Sequence, residues 1–226
     1  DDVVDAFCAK SIENGIDIIR IFDALNDVRN LEQAIKSTKK YGGQVEATLS
    51  YTMSPIHNEA YFVKLAKELE EMGADMICIK DMANLLLPMD AYSLVKALKE
   101  TVSVPIHLHT HDTTGAGVAT VLKAAEAGVD IVDLAIESMS SCTSQPSLNV
   151  VVEALRGTER DTGLDFEGLD ELSRYYEHVR KVYKSNESGM VSPNAQIYKY
   201  EIPGGQYSNL LAQVTEMGSK DEFEKI

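Results

Sequence analysis

Val104-Pro105-Ile106-His107-Leu108-His109-Thr110-His111-Asp112, running into Thr113-Thr114-Gly115-Ala116-Gly117, is an apolar run that takes up an imidazole at every second residue and then breaks into polar residues and glycines. Period two is the signature of a β-strand, so His107, His109 and His111 fall on one face and the glycines mark the turn beyond. Neutral imidazole is the commonest metal ligand, and a His-x-His pair on a strand can offer two nitrogens to one ion. The same pair can instead be hydrogen-bonded in a polar core. The setting decides between the two.

Outward from this strand, four more segments rich in Ile and Val recur: Ile16 to Phe22, Val45 to Tyr51, Met76 to Lys80, and Asp130 to Ile136. With Pro105 to His111 as the fourth of five, the starts at 16, 45, 76, 105 and 130 lie 25 to 31 residues apart. Between them, Val28 to Tyr41, Glu59 to Met72, Met89 to Val102 and Gly117 to Ala127 carry apolar residues on one helical stripe. Two of these end in Met72-Gly73-Ala74-Asp75 and Ala127-Gly128-Val129-Asp130, with glycine where a left-handed helix C-cap is expected.

The alternation predicts an α/β protein with a buried parallel sheet. No Gly-x-Gly-x-x-Gly follows a first strand, which favours a (β/α)8 TIM-type barrel over a Rossmann sheet. Five strands cannot close an eight-stranded barrel, so about three are expected upstream of residue 1, in a longer polypeptide. The opening Asp1-Asp2-Val3-Val4 reads as a helix start, with no initiator Met. After Gly157 the pattern changes to one long helix, about Leu169 to Tyr183, and then an irregular stretch. The expected division is a partial barrel over 1–157 and a mostly helical extension over 158–226.

The 226 residues, 44% hydrophobic and 25% charged, suit a globular α/β chain with a sizeable core. A formal net charge of −15 argues against nucleic acid or an anionic membrane surface as partner, because both select basic patches. No apolar run reaches the roughly 18 residues of a membrane span, and no secretory segment is present. Cys8, Cys78 and Cys142 are odd in number and widely spaced, which argues against a disulfide framework and fits a reducing cytoplasm.

In a barrel of this kind chemistry sits at the C-terminal strand ends. Here these read Arg20-Ile21-Phe22-Asp23, Ser50-Tyr51-Thr52, Lys80-Asp81-Met82, His109-Thr110-His111-Asp112 and Glu137-Ser138-Met139. Lys80, directly after the apolar Ile77-Cys78-Ile79, stands out. Partial desolvation would lower its pKa, and the neutral amine could form a Schiff base or add carbon dioxide to become an anionic carbamate that ligates a metal. Carbamylation would explain a lysine sharing a site with His109 and His111. The plainer alternative is a lysine whose head reaches solvent.

Ile79-Lys80-Asp81-Met82-Ala83, the His107 to Gly117 run, Ser138-Met139-Ser140 with Thr143-Ser144-Gln145-Pro146, and Ile202-Pro203-Gly204-Gly205-Gln206-Tyr207-Ser208-Asn209 stand in order along the chain. Together they resemble the carboxyltransferase domain of biotin-dependent carboxylases, shared by pyruvate carboxylase, the oxaloacetate decarboxylase α subunit and the transcarboxylase central subunit. The resemblance implies a (β/α)8 barrel holding a divalent metal, zinc or manganese, and carboxyl transfer between carrier-bound biotin and pyruvate or oxaloacetate. It maps the carbamylated lysine to Lys80 and the two histidine ligands to His109 and His111, and leaves His107 as a core or supporting group. The family's aspartate ligand lies in an Arg-Asp-x-x-Gln motif that this sequence lacks. Asp23 ends a strand but belongs to the different motif Phe22-Asp23-Ala24-Leu25-Asn26. The substrate-binding arginine of an Arg-Gly motif is absent too. Near Ser188-Gly189-Met190-Val191-Ser192 the family places a hydroxyl that serves biotin, and Ser192 is the candidate.

The partners implied are a biotinylated carrier, accompanied by a biotin carboxylase or membrane decarboxylase subunits, and a homo-oligomer is expected. Two rivals remain at this level. One is an acyl-CoA condensing or cleaving barrel of the isopropylmalate synthase or hydroxymethylglutaryl-CoA lyase type, which also carries His-x-His. The other is a non-catalytic module, and the chain as given is expected to be inactive by itself.

Overall fold

The computed structural model describes residues 1–187, 189–202 and 204–219. Its elements alternate as the periodicity predicts. Helix α1 (Asp2–Glu13) precedes β1 (Ile18–Ile21), α2 (Glu32–Lys40), β2 (Gln44–Ser50), α3 (Glu59–Glu71) and β3 (Met76–Asp81). Next come α4 (Pro88–Thr101), β4 (Ile106–Thr110), α5 (Gly117–Ala127) and β5 (Ile131–Val132). Beyond these lie α6 (Leu148–Leu155), α7 (Phe166–Val182), the short α8 (Ile197–Tyr200) and α9 (Gly204–Glu216).

The five strands form one sheet in the order β1-β2-β3-β4-β5, each beside its neighbour in sequence. The pairs β1–β2, β2–β3 and β4–β5 are parallel. A doubly wound sheet would reverse its order partway across, whereas consecutive order is that of a (β/α) barrel wall. The expected α/β class and barrel type are therefore what the chain folds into. The fifth strand is shorter than Asp130 to Ile136: only Ile131 and Val132 join the ladder, and a single bridge from Ala135 to Ser147 continues the pairing.

The chain forms two compact units. The first comprises residues 1–81, 89–109 and 124–132, and its core is layered by the pleat. Val45, Ala47, Leu49, Ile77, Ile79, Ile106 and Leu108 are all 0% exposed. Phe62, Ala66 and Leu69 of α3 and Ala91, Val95 and Leu98 of α4 are buried as well. The alternate positions are polar or polarisable: Arg20 on β1, Glu46, Thr48 and Ser50 on β2, Cys78 and Lys80 on β3, and His107 and His109 on β4. Register keeps this set on one face, since Arg20 pairs with Glu46, Thr48 with Cys78 and Ser50 with Lys80. One face of the sheet is hydrocarbon and the other is polar.

A repeated device ties helices to strands. Gly73 and Gly128, at φ 105° and 101°, end α3 and α5, and an aspartate follows two residues later. The Asp75 carboxylate accepts from the Val45 N–H at 2.8 Å and from Lys39 Nζ at 2.6 Å. Asp130 does the same with the Ile106 N–H at 2.7 Å and Lys99 Nζ at 2.7 Å.

The second unit comprises residues 82–88, 110–123 and 133–226. Its buried apolar residues include Leu85, Leu86, Val121, Val151, Val152, Ile197, Leu211 and Val214. Helix α6, capped by the Ser147 hydroxyl accepting from the Val150 N–H, lies in a stretch for which no helix was expected. No helix among the described residues is long and apolar enough to cross a membrane.

Candidate metal centre

Lys80 is the penultimate residue of β3, on the polar face, and half-buried. Its Nζ lies 3.6 Å from the centroid of the Phe22 ring. Burial pushes its pKa below the usual lysine value, and the Arg20 guanidinium adds repulsion in the same direction. A half-buried amine so disposed is more often neutral than a solvated one.

His109 is on the same face, with its Nδ1 3.4 Å from Arg20 Nη1. Deeper in the strand, His107 is 6% exposed and its Nδ1 donates to Glu46 Oε1 at 2.5 Å. Arg20 Nε donates to the other Glu46 oxygen, and Nη2 lies 3.2 Å from His107 Nδ1. Burial alone would raise the Glu46 pKa, but the hydrogen bonds from His107 and Arg20 outweigh it and hold the carboxyl below its usual range.

Glu46 is the polar-face residue that reading for apolar runs overlooks, and its partner is Arg20, already among the polar strand-end residues. The signal was there: within Val45 to Tyr51, Glu46, Thr48 and Ser50 alternate with Val45, Ala47 and Leu49. Glu46, Cys78 and His107 also bring possible ligand atoms within 4.8 Å of one another. Because the Glu46 carboxylate already accepts from Arg20 and His107, its charge is engaged within the protein, which opposes a cation among these three residues.

His111 follows β4 by one residue and belongs to the second unit. Its Nδ1–H donates to the Thr143 carbonyl at 2.6 Å, which in the neutral ring leaves the lone pair on Nε2. A carbonyl on one ring nitrogen is the usual support of a metal-ligating histidine. Each unit by itself offers a group that suits a divalent ion: the first a half-buried amine whose pKa is lowered, the second an imidazole whose carbonyl partner fixes its tautomer.

The turn after His111 is built by its own side chains. Asp112 Oδ1 accepts from the Gly117 N–H at 2.8 Å at the start of α5. A Cβ at Gly117 would lie 2.6 Å from Pro146 Cγ and 2.7 Å from Asp112 Oδ1, so the position requires glycine. The Thr114 hydroxyl donates to Asn84 Oδ1 at 2.7 Å, and Asn84 Nδ2 donates to Thr120 Oγ1 at 3.1 Å.

Asp23 accepts from the N–H groups of Leu25 and Asp27 and from Asn30 Nδ2. Nearby Asn26, at φ 58°, pairs with both backbone groups of Ser50. Ser192 is exposed, and its neighbour Ser188 lies outside the described residues, as does Pro203. A cavity of about 630 Å³ in the second unit gathers Cys142, Thr143, Gly189, Met190, Ser208 and Asn209, drawn from three of the sequence motifs.

The chain is similar to known proteins in sequence and in fold. Residues 17–175 match the HMGL-like family, and residues 197–226 match a conserved carboxylase domain. A pyruvate carboxylase subunit of Methanocaldococcus jannaschii is 51% identical, covering 100% of this chain and 40% of the relative. Pyruvate carboxylase of Bacillus subtilis is 46% identical, over 100% of this chain and 20% of the relative. The carboxyl transferase domain of Rhizobium etli pyruvate carboxylase, solved with pyruvate, superposes with a TM-score of 0.96 at 43% identity, over 99% of this chain and 39% of that one. The chain spans well under half the length of these proteins, and the likeness to biotin-dependent carboxyltransferase domains runs its whole length. With the family match covering the sheet, Lys80 and the histidine strand, the chain belongs to the HMGL-like family.

Proposed function

We propose that this chain carries part of the active site of a biotin-dependent carboxyltransferase, moving a carboxyl group between N1 of carrier-bound biotin and the methyl carbon of pyruvate, or back from oxaloacetate. The observation that carries the reading is Lys80: a half-buried lysine at a strand end, its amine biased towards the neutral form on the polar face that also bears His109. The carboxylase domain matched at residues 197–226 favours it over an acyl-CoA condensing or cleaving barrel, and the pyruvate carboxylases among the relatives favour pyruvate as the ketoacid.

Lys80, as its carbamate, His109 and His111 would hold a divalent ion, zinc or manganese, with the aspartate ligand contributed from outside this sequence. When bound, the ion supplies Lewis-acid stabilisation of the negative charge that develops on the keto oxygen. The carbamate forms when the neutral Lys80 amine adds carbon dioxide and releases one proton. Glu46, Arg20 and His107 balance charge beneath it, and Ser192 is the hydroxyl offered to biotin. The functional division falls near residue 157, between barrel and helical extension. In the cell the chain would work in the cytoplasm within a homo-oligomer. It would meet a biotinylated carrier, with biotin carboxylase or a membrane decarboxylase as neighbouring subunits.

The test uses the full-length protein. Lys80→Ala is expected to lose bound metal and avidin-sensitive oxaloacetate decarboxylation together, and Lys80→Arg, which cannot carbamylate, to behave alike. Full activity with metal retained in either variant refutes the assignment.

A further inference from the structure

Between the turn at Glu137–Met139 and α6, the sequence Ser140-Ser141-Cys142-Thr143-Ser144-Gln145 takes a conformation its residues do not favour. Ser141 and Cys142 stand consecutively in the left-handed region, at φ 71° and 55°. Side chains with a Cβ enter that region at a cost in free energy, and such outliers persist only where surrounding contacts over-determine them.

Those contacts are specific. The Ser141 N–H donates to the Gln145 carbonyl at 2.8 Å, and the Ser144 N–H to the Ser141 carbonyl at 2.9 Å. The Asp112 N–H donates to the Ser144 carbonyl at 2.8 Å. The Ser141 hydroxyl donates to Asp112 Oδ2 at 3.1 Å, while Oδ1 of the same carboxylate holds the Gly117 N–H at the start of α5. Asp112 follows His111 directly, so the loop is pinned to the residue beside the imidazole it touches. The product of this arrangement is the Thr143 carbonyl aimed at His111 Nδ1, at 2.6 Å.

We infer that Ser141 is a positioning residue for His111: through Asp112 it holds the strained loop Ser140–Gln145 in the shape that presents the Thr143 carbonyl to the imidazole, fixing the ring's orientation and its Nδ1–H tautomer. A loop that only closed the chain before α6 would not need two adjacent left-handed residues, nor a tether to the residue after a histidine. The inference rests on the reading of His111 as a metal ligand, because a ligand is what gains from a lone pair held on Nε2.

The test compares two glycine variants of the full-length protein. Ser141→Gly suits the left-handed backbone but removes the hydroxyl link to Asp112. Cys142→Gly relieves the neighbouring residue and leaves the link intact. Release of bound metal to a chelator is expected to accelerate on the order of 10–100-fold in Ser141→Gly, the range typical of lost support around a ligand, and to stay within about twofold of wild type in Cys142→Gly. Long-range ¹H–¹⁵N NMR of histidine-labelled, metal-stripped protein is expected to show His111 as the Nδ1–H tautomer in wild type and Cys142→Gly, and as a mixture in Ser141→Gly. Equal release rates in the two variants, or an unchanged tautomer in Ser141→Gly, overturns the proposal. If Ser141→Gly does not fold, the wild-type spectrum decides: an Nε2–H tautomer for His111 overturns it. Metal retained in His111→Ala sinks the ligand reading on its own, whatever the loop variants do.

Discussion

Glu46→Gln isolates the charge that holds the polar face of the sheet together. The wild-type carboxylate is 2% exposed and accepts from both Arg20 Nε and His107 Nδ1. Glutamine keeps the shape but offers one acceptor oxygen where two donors converge, and its NH₂ group must face the other donor. A hydrogen bond to a charged group contributes about 1.5–3 kcal/mol, and removing one partner of a buried pair costs about 3–5 kcal/mol. Arg20, with a 30% exposed side chain, can turn part of its charge towards water, so the cost falls between these two figures. We expect a loss of about 2–4 kcal/mol at pH 7, or about 1–2 M in urea midpoint at a slope near 2 kcal/mol/M. With no tryptophan and ten tyrosines, far-UV circular dichroism is the cleaner probe. The pH dependence has a definite sign. Because the folded-state pKa of Glu46 is depressed below 4.5, its contribution is complete above that value and is lost as pH falls through the folded pKa. The gap between wild type and variant should therefore be constant from pH 7 to about pH 5 and narrow below. A midpoint difference under about 0.3 M at pH 7, or a gap that widens on acidification, would refute the ion-pair account.

Further expectations concern the supporting shell. Gly117→Ala drives a methyl into Asp112 and Pro146 and should destabilise by about 1–3 kcal/mol, read as a lowered thermal midpoint together with faster amide exchange in the first turn of α5. Thr114→Val removes the donor to Asn84 Oδ1, and because Asn84 is 0% exposed the loss should be about 1–3 kcal/mol by urea unfolding. Burial, with Asp81 and Asp90 nearby, pushes the Tyr51 hydroxyl above its usual value of 10.0. In an ultraviolet titration Tyr51 should ionise last, Tyr51→Phe should abolish that late step, and folding stability should decline as pH rises past 10.0.

The strand–helix alternation was legible because helical and strand periods leave different marks on the same alphabet. Lys80 and the histidines stood out because ionisable side chains interrupt apolar runs. Other features are set by contacts distant in sequence. Asp75 and Asp130 read as ordinary polar residues after a helix, yet each carboxylate holds the N–H of a residue on a neighbouring strand. Glu46 was hidden inside a strand counted as apolar, although its alternation with Val45 and Ala47 pointed to a two-faced sheet. Helix α6 leaves no clear mark in the sequence because Leu148 to Leu155 carries Val150, Val151 and Val152 in a row, and β-branched residues mask a helical period. The left-handed pair Ser141–Cys142 has no local signature, since neither residue is one that usually takes that conformation.

The motif residues divide into two kinds of work. Asp112, Thr114 and Gly117 of the histidine motif spend their polar groups and their space on building the turn. Asn84, just beyond the Lys80 motif, is bound to Thr114 and Thr120. His109 and Lys80 sit instead on a face where the other polar groups, Arg20, Glu46 and His107, are engaged with one another. A half-buried amine can stay neutral only if nearby negative charge does not draw a proton onto it. Glu46, the buried carboxylate of this face, is matched by Arg20, and burial together with the Arg20 guanidinium lowers the Lys80 pKa. Arg20 thus has two tasks, matching the buried Glu46 carboxylate and repelling a proton from Lys80, and an apolar pair in place of Arg20 and Glu46 would serve the sheet but not the lysine.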